Sequence, residues 1–332
     1  MTAANKSAVL VSPIAEDILR GLTARPRRLP PKLFYDAAGS RLFDEITETP
    51  EYYPTRTERA MLRDFAGEMV RQAGKNLTLI ELGAGSASKT QLLIHALLRR
   101  QLRAEFYPVD VSSSALHGAL ASLNGHFPRL RVLPIVADYT HRLPDLDSFA
   151  ERSSPGGRRS SSAGRKLVLF LGSTIGNFEP EEAETFLKNV RRSLKPGDAL
   201  LIGFDLIKNA EVLNAAYNDA AGVTARFNKN MLARINHELG GTFDLDAFEH
   251  VAFWNGRKSR IEMHLESVYE QTVWIEDLGR GFHFEQGERI HTENSYKFNM
   301  SSIGQLLRRA GFKLEKSWTD SKKWFCEALA RV

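Results

Sequence analysis

With 332 residues, 42% of them hydrophobic and 26% charged, the chain can bury a sizeable core, and its length fits two domains. A formal charge of +5 without aromatic-laced basic patches argues against a nucleic-acid binder, and no apolar stretch is long enough for a membrane span. The N-terminus lacks the basic start and apolar run of a secretion signal, and the single cysteine, Cys326, rules out an internal disulfide and fits a reducing cytoplasm. No Cys/His spacing matches a zinc site, so no metal is expected.

The N-terminal segment is rich in prolines and aromatics (PRRLPPKLFYDAAGS, PEYYPTRTE) and is expected to pack with a later insertion. From residue 57 to 205, helices alternate with apolar strands, the pattern of a parallel α/β sheet. A helix through TERAMLRDFAGEMVRQAG sets Met61, Phe65 and Met69 on one face, and Gly74 stops it. A strand at 77–82 leads to a helix from about Ser88, with Leu93 and Leu97 on one side. The strand AEFYPVD ends at Asp110, and a Ser-capped helix follows with Leu116, Leu120 and Leu123 inward. RVLPIVAD reads as a third strand ending at Asp138, and ERSSPGGRRSSSAGRK (151–166) as a surface loop. KLVLFLG is a continuous apolar run, as a strand buried on both faces requires. Pro180 starts a helix whose positive end suits Glu181 and Glu182, and ALLIGFD is the fifth strand, ending at Asp205.

After Asp205 the rhythm changes. One helical piece (AEVLNAAYNDAAGVTARFNKNMLARINHEL) precedes strand-like segments around RIEMHLESVYEQTVWI and HFEQGERIHTENSYKF, as in an inserted α+β domain. The last 35 residues return to helix, strand and strand, which would complete the first sheet. The expected organisation is a Rossmann-like domain (57–205 plus 298–332) and an α+β domain (1–56 plus 206–297).

The string LIELGAGSASKT (79–90) carries a ligand-binding signature. Gly83 and Gly85 let the backbone turn sharply beside a ligand, but Ser88 stands where a dinucleotide site has its third glycine. With Glu81 at the strand end, the loop suits S-adenosylmethionine better than a nicotinamide dinucleotide. Open α/β sheets bind ligands beyond the carboxyl ends of their strands, where Gly83, Gly85, Asp110, Asp138 and Gly172 all stand. Asp110 suits the ribose hydroxyls, and Asp138 with Tyr139 suits the adenine. Lys89 is either a solvated first-turn lysine or a partner for the cofactor's carboxylate. Any one aspartate could be a helix cap, but three acidic strand ends after a glycine loop point to a bound adenosine. GSTIG (172–176) has the outline of a nucleophile elbow, with Thr174 at the serine position and no triad to support it.

Several strings together resemble one family: LPPKLFYDAAGSRLFDEITETPEYYPTRTE, ELGAGSASKT, FLGSTIGN, AYNDAAGVTARFN, FDLDAFEHVAFWN, RIEMHL and TENSYKF. They are similar to the S-adenosylmethionine-dependent histidine N-α-methyltransferases of ergothioneine biosynthesis, over about residues 20 to 330. The resemblance implies a class I methyltransferase domain with an inserted α+β substrate-binding domain. It also implies three methyl transfers to the α-amino group of L-histidine, giving hercynine. By matching motif, Asn177 and Tyr217 would hold the amino and carboxylate groups, with Tyr52 helping at the carboxylate. Tyr35 would lie near the amine and the methyl donor, acting with Asn177 in catalysis. Glu293 and Ser295 would read the imidazole, Thr224 would stand behind a water, and Met263 would wall the side-chain cavity. The 151–165 stretch departs from the family pattern as a loop insertion. Read without the resemblance, Glu293 and Ser295 are two apart and share one face of a strand. The alternatives are a same-fold methyltransferase for another amino acid such as tryptophan, a non-catalytic adenosine-cofactor module, and a nicotinamide oxidoreductase, which the missing glycine disfavours. A monomer is expected.

Overall fold

In a computed structural model describing residues 14–140, 143 and 164–332, the N-terminal segment forms α1 (Ala15–Thr23), β1 (Arg27–Arg28), α2 (Ala37–Glu48) and α3 (Tyr53–Ala73). Strands and helices then alternate as β2 (Leu77–Leu82), α4 (Thr90–Leu98), β3 (Ala104–Asp110), α5 (Ser113–His126), β4 (Leu130–Val132) and β5 (Ile135–Val136). They continue as β6 (Arg165–Phe170), α6 (Pro180–Arg192) and β7 (Ala199–Asp205). Next come α7 (Ala210–Ala216), α8 (Val223–Leu239), β8 (Phe248–Asn255), β9 (Arg260–Ser267), β10 (Gln271–Ile275), β11 (Arg280–Phe284) and β12 (Arg289–Tyr296). The chain closes with α9 (Met300–Arg309), β13 (Lys313–Thr319) and β14 (Phe325–Arg331).

The large sheet has the order β13-β14-β7-β6-β2-β3-β4, with β5 also paired to β3. Its central strands β7, β6, β2 and β3 are parallel, so their carboxyl ends share one edge, the place for a ligand groove. The C-terminal strands complete this sheet: β14 runs antiparallel to β7, and β13 antiparallel to β14. Helices cover both faces and bury the apolar runs completely, which is why KLVLFLG shows no polar alternation.

Three local expectations change. The third strand is two short pieces, because Pro134 has no N–H for the ladder; Leu133 and Ala137 still donate to Phe106 and Asp110 of β3 at 2.9 and 3.0 Å. The single helical piece after 210 breaks at 217–222. There Asp219 accepts the N–H groups of Val223 and Thr224, both at 2.7 Å, and Gly222 takes a φ of +68° to start α8. That break brings Tyr217 and Thr224 to one cavity wall. Finally, the end of the Ser/Gly/Arg stretch belongs to β6, where buried Lys166 donates to the Ser193 carbonyl at 2.8 Å; residues 151–163 lie outside the described residues.

The second sheet has the order β1-β12-β9-β8, and β10 and β11 form a hairpin. One apolar cluster joins residues between Ile14 and Tyr53 to residues between Leu213 and Ile290. The N-terminal segment therefore packs with the residues after β7. The boundary drawn at 56/57 falls inside α3, where Pro54 at the first turn starts the helix four residues before the expected Thr57. Among the described residues, no helix is long and apolar enough to cross a membrane.

Tyr35 precedes α2 and is held in place by the cap of that helix. Asp36 accepts from Gly39 N at 2.6 Å and from Asn230 Nδ2 at 2.9 Å. A Cβ on Gly39 would lie 1.6 Å from the Phe34 carbonyl oxygen, so the backbone passes too close for any side chain. Gly39→Ala is expected to cost about 1–3 kcal/mol of stability, read as a lower urea midpoint. An unchanged midpoint would show that the Phe34–Tyr35 turn yields freely.

Candidate active site

Two connected cavities lie beyond the carboxyl ends of the parallel strands. The first is a long groove over the loop that follows β2. Gly83 and Gly85 take φ values of +74° and +50°, and the N–H groups of Gly83 and Ala84 donate to the Val109 carbonyl at 2.8 and 3.2 Å. Asp110 braces this loop, accepting from Gly85 N and Ser112 N, both at 2.9 Å. Burial raises its pKa against the pull of those backbone N–H groups. A Cβ on Gly85 would meet open groove, whereas one on Gly83 would lie 2.7 Å from the Tyr139 hydroxyl. The loop is therefore a cradle in which a side chain at Gly83 would strike Tyr139 and one at Gly85 would enter the groove.

The other groove residues stand around that cradle. Tyr139 packs edge-on to Phe170, with ring centroids 6.0 Å apart. Asp138 accepts from Thr140 N at 3.0 Å, and its other oxygen is 3.5 Å from Lys32 Nζ, which also pairs with Asp17 of α1. The N-terminal segment is thereby tied across the groove. Glu81 is buried with the Thr90 hydroxyl 2.7 Å from both its oxygens, and burial pushes its carboxyl up to about 8. Lys89 is not a solvated first-turn lysine: it is ion-paired with Glu58 of α3 while still lining the groove. Glu58 also accepts from Gly172 N at 2.5 Å, which fixes the positive-φ turn after β6. Behind it lies Glu327 of β14, whose carboxyl is raised far above its usual range by burial and then by the Glu58 charge.

The second cavity is small and collects Tyr35, Tyr52, Asn177, Tyr217, Thr224, Met263, Glu293 and Ser295. On the β12–β9 ladder Glu293 stands opposite Met263 and Ser295 opposite Ile261, after a register shift between His291 and Glu293. Asn177 stands beside Glu293 and favours its ionised form; with its amide N–H toward that carboxylate, its amide oxygen is left for a ligand. Burial pushes Glu293 up to about 7, with Lys297 and Asn177 opposing it. The Thr224 hydroxyl lies beside the Asp219 carboxylate without a well-directed hydrogen bond. Tyr35 meets Phe43 and Phe227 edge to face, and Tyr52 meets Tyr217 in the same way at 6.2 Å. Burial above all raises the phenol pKa of Tyr35, Tyr52 and Tyr217, so all three keep their protons.

Tyr35, Tyr52, Gly172, Thr174 and Asn177 line both cavities, so the two meet there. Sequence reasoning missed Lys297 and Asp205, which pair at 2.8 Å in the wall of the small cavity. The available signals were Lys297 two residues after Ser295 on one strand, and the acidic end of ALLIGFD.

The raised carboxyls make stability pH-dependent. Both folded pKa values exceed the unfolded 4.5, so each group favours the folded state below about pH 4.5. That contribution is lost as pH rises through about 7 for Glu293 and about 8 for Glu81. Without ligand, Glu293→Gln is therefore expected to gain about 2 kcal/mol on wild type between about pH 5 and 8, as a widening gap in urea midpoints. A constant gap would place Glu293 in a solvated setting.

A family model described as histidine-specific, S-adenosylmethionine-dependent methyltransferase matches residues 14–332. The histidine N-alpha-methyltransferase of Mycolicibacterium smegmatis is 43% identical over 317 residues, covering 96% of this chain and 94% of the relative. That of Mycobacterium tuberculosis is 41% identical with the same coverage. Ergothioneine biosynthesis protein 1 of Schizosaccharomyces pombe is 33% identical over 86% of this chain, which matches 36% of that protein. Cradle, groove and match agree: the chain belongs to the S-adenosylmethionine-dependent, histidine-specific methyltransferase family.

Proposed function

We propose that this enzyme transfers three methyl groups to the α-amino group of L-histidine, giving hercynine in the first step of ergothioneine biosynthesis. The observation that carries the reading is the convergence of eight motif-derived residues on one small cavity that opens into the glycine-loop groove. The enzyme acts as a cytoplasmic monomer, with 53–205 plus 298–332 as the cofactor domain and 14–52 plus 206–297 as the substrate domain.

S-Adenosylmethionine supplies an electrophilic methyl group on a sulfonium. The residues present fit it. Gly83 and Gly85 would admit the nucleoside, Asp110 would serve the ribose hydroxyls, and Asp138 and Tyr139 would serve the adenine. Lys89 holds Glu58 and thereby the Gly172 turn; its remaining N–H groups are what it offers the cofactor's carboxylate. In-line transfer needs alignment more than acid or base strength. Asn177 accepts an amine N–H on its amide oxygen, Tyr35 hydrogen-bonds from the other side, and the lone pair is aimed toward the groove. Tyr52 holds the carboxylate; Tyr217, whose hydroxyl proton goes to Ser295, braces the wall beside it instead of donating to the substrate. Glu293 and Ser295 hold the imidazole against Met263, with Thr224 behind a water. Desolvation in this cavity disfavours the ammonium form, so the amine reacts neutral without a dedicated strong base. The rings of Tyr35, Phe43, Tyr52 and Phe227 tolerate the growing methylammonium cation.

Titration calorimetry with S-adenosylhomocysteine present tests the reading. L-Histidine is expected to bind and L-tryptophan to give no heat. The reverse would assign the cavity to another amino acid and keep only the cofactor site.

A further inference from the structure

Behind Ser295 lies a buried polar chain that the substrate-binding roles leave unexplained. Lys297 is 4% exposed, and its three N–H donors have three acceptors: Asp205 Oδ2 at 2.8 Å, Ser295 Oγ at 2.8 Å and Tyr217 Oη at 3.0 Å. Asp205 is itself fixed, accepting from the Tyr53 hydroxyl at 2.7 Å and pairing with Lys208. Burial works against the ammonium of Lys297, but Asp205 and then Tyr217 outweigh it, so the lysine stays charged.

The consequence follows from counting lone pairs. Tyr217 accepts from Lys297 and donates to Ser295 at 2.7 Å, so its proton is spent inside the wall. Ser295 Oγ then takes two donors, which fills its acceptor capacity and leaves its own hydrogen as the one group it can offer the cavity. Glu293, two residues away on the same strand face, offers only acceptors when ionised. A neutral imidazole has one N–H and one bare nitrogen, and matches that donor–acceptor pair. An imidazolium has two N–H groups, one of which would face the Ser295 hydrogen.

We infer that Lys297 is a positioning residue that makes Ser295 an obligate donor, so that the site selects the neutral histidine ring with its bare nitrogen toward Ser295. This rests on the proposed seat of the ring between Glu293 and Ser295. Without Lys297, Ser295 keeps one donor, from Tyr217, and its freed second lone pair can accept from a protonated ring.

The test is the pH dependence of affinity for L-histidine relative to 2-fluoro-L-histidine, whose ring stays neutral throughout, by calorimetry with S-adenosylhomocysteine. The charged and titratable groups facing the ring are Glu293, Asp205, Lys297, Tyr217, Tyr35 and Tyr52. Their titration acts on both ligands, so the ratio of the two Kd values isolates the ring proton. In wild type, Kd for histidine over Kd for the analogue is expected to rise about tenfold between about pH 7.5 and 5.5, as ring protonation near pH 6.5 withdraws the bound form. In Lys297→Met, the rise is expected to shrink to about threefold or less. Ser295→Ala, which removes the donor without touching the buried charges, carries the same expectation and serves if Lys297→Met fails to fold. A flat ratio in wild type, or a full tenfold rise retained in both variants, overturns the inference while histidine binding stands. Absence of histidine binding at every pH overturns the proposed function, and this inference with it.

Discussion

Glu293→Ala is expected to raise the KM for L-histidine by about two orders of magnitude, while turnover at saturating histidine falls by less than about tenfold. A hydrogen bond to a charged partner contributes about 1.5–3 kcal/mol, and leaving the ligand's ring N–H unmet in a dry cavity adds to the loss. Glu293 is buried and stands opposite Met263 on the β12–β9 ladder, and Asp205, which lines the same cavity, is already paired with Lys297. The same change removes the group that penalises a ring without a donor, so the cavity should relax toward larger aromatic amino acids. Steady-state kinetics with histidine and tryptophan measures both effects. An unchanged KM for histidine in this variant would take Glu293 out of recognition.

The second large effect is expected in turnover. Asn177→Ala should lower kcat by about 10²–10³ with KM changed only a few-fold, because misplacing a reacting group by about an ångström costs that much. The residue is built to be rigid. It ends the 3-10 turn Thr174–Asn177, and Gly176 runs so close to β12 that a Cβ there would lie 2.7 Å from the Tyr296 carbonyl oxygen. Two residues on, Glu179 caps α6, accepts from Arg260 Nη1 at 2.9 Å and from Asn294 Nδ2 at 2.7 Å, and so ties this turn to the second sheet. Tyr35→Phe should cost less, about tenfold, because its ring remains packed on Phe43 and Phe227 when one hydroxyl is lost. Initial rates of S-adenosylhomocysteine release measure both. Unchanged turnover in each variant would remove these two residues from the chemistry.

What the sequence makes legible here is local. The strand ends at Leu82, Asp110 and Asp205, the glycine loop and the Pro180 helix start were readable because apolar runs, turn residues and caps act over a few residues. The same locality explains the differences. Pro134 looks like part of an apolar strand until its missing N–H meets the ladder, and α7 and α8 share one helical pattern until Asp219 caps the second. Glu293 and Ser295 announce a shared strand face, but nothing in TENSYKF says that Lys297 will find Asp205, because that pair forms only when the end of β7 meets the end of β12. The Lys89 ion pair was hidden for the same reason: its partner, Glu58, comes from a helix that precedes the whole glycine loop.

The most direct measurement is mass spectrometry of the purified enzyme incubated with S-adenosylmethionine and each of the twenty amino acids in turn. Histidine alone is expected to give a product three methyl groups heavier, with the added mass on the α-nitrogen. Trimethylation of a different amino acid, or no product from histidine, would contradict the account.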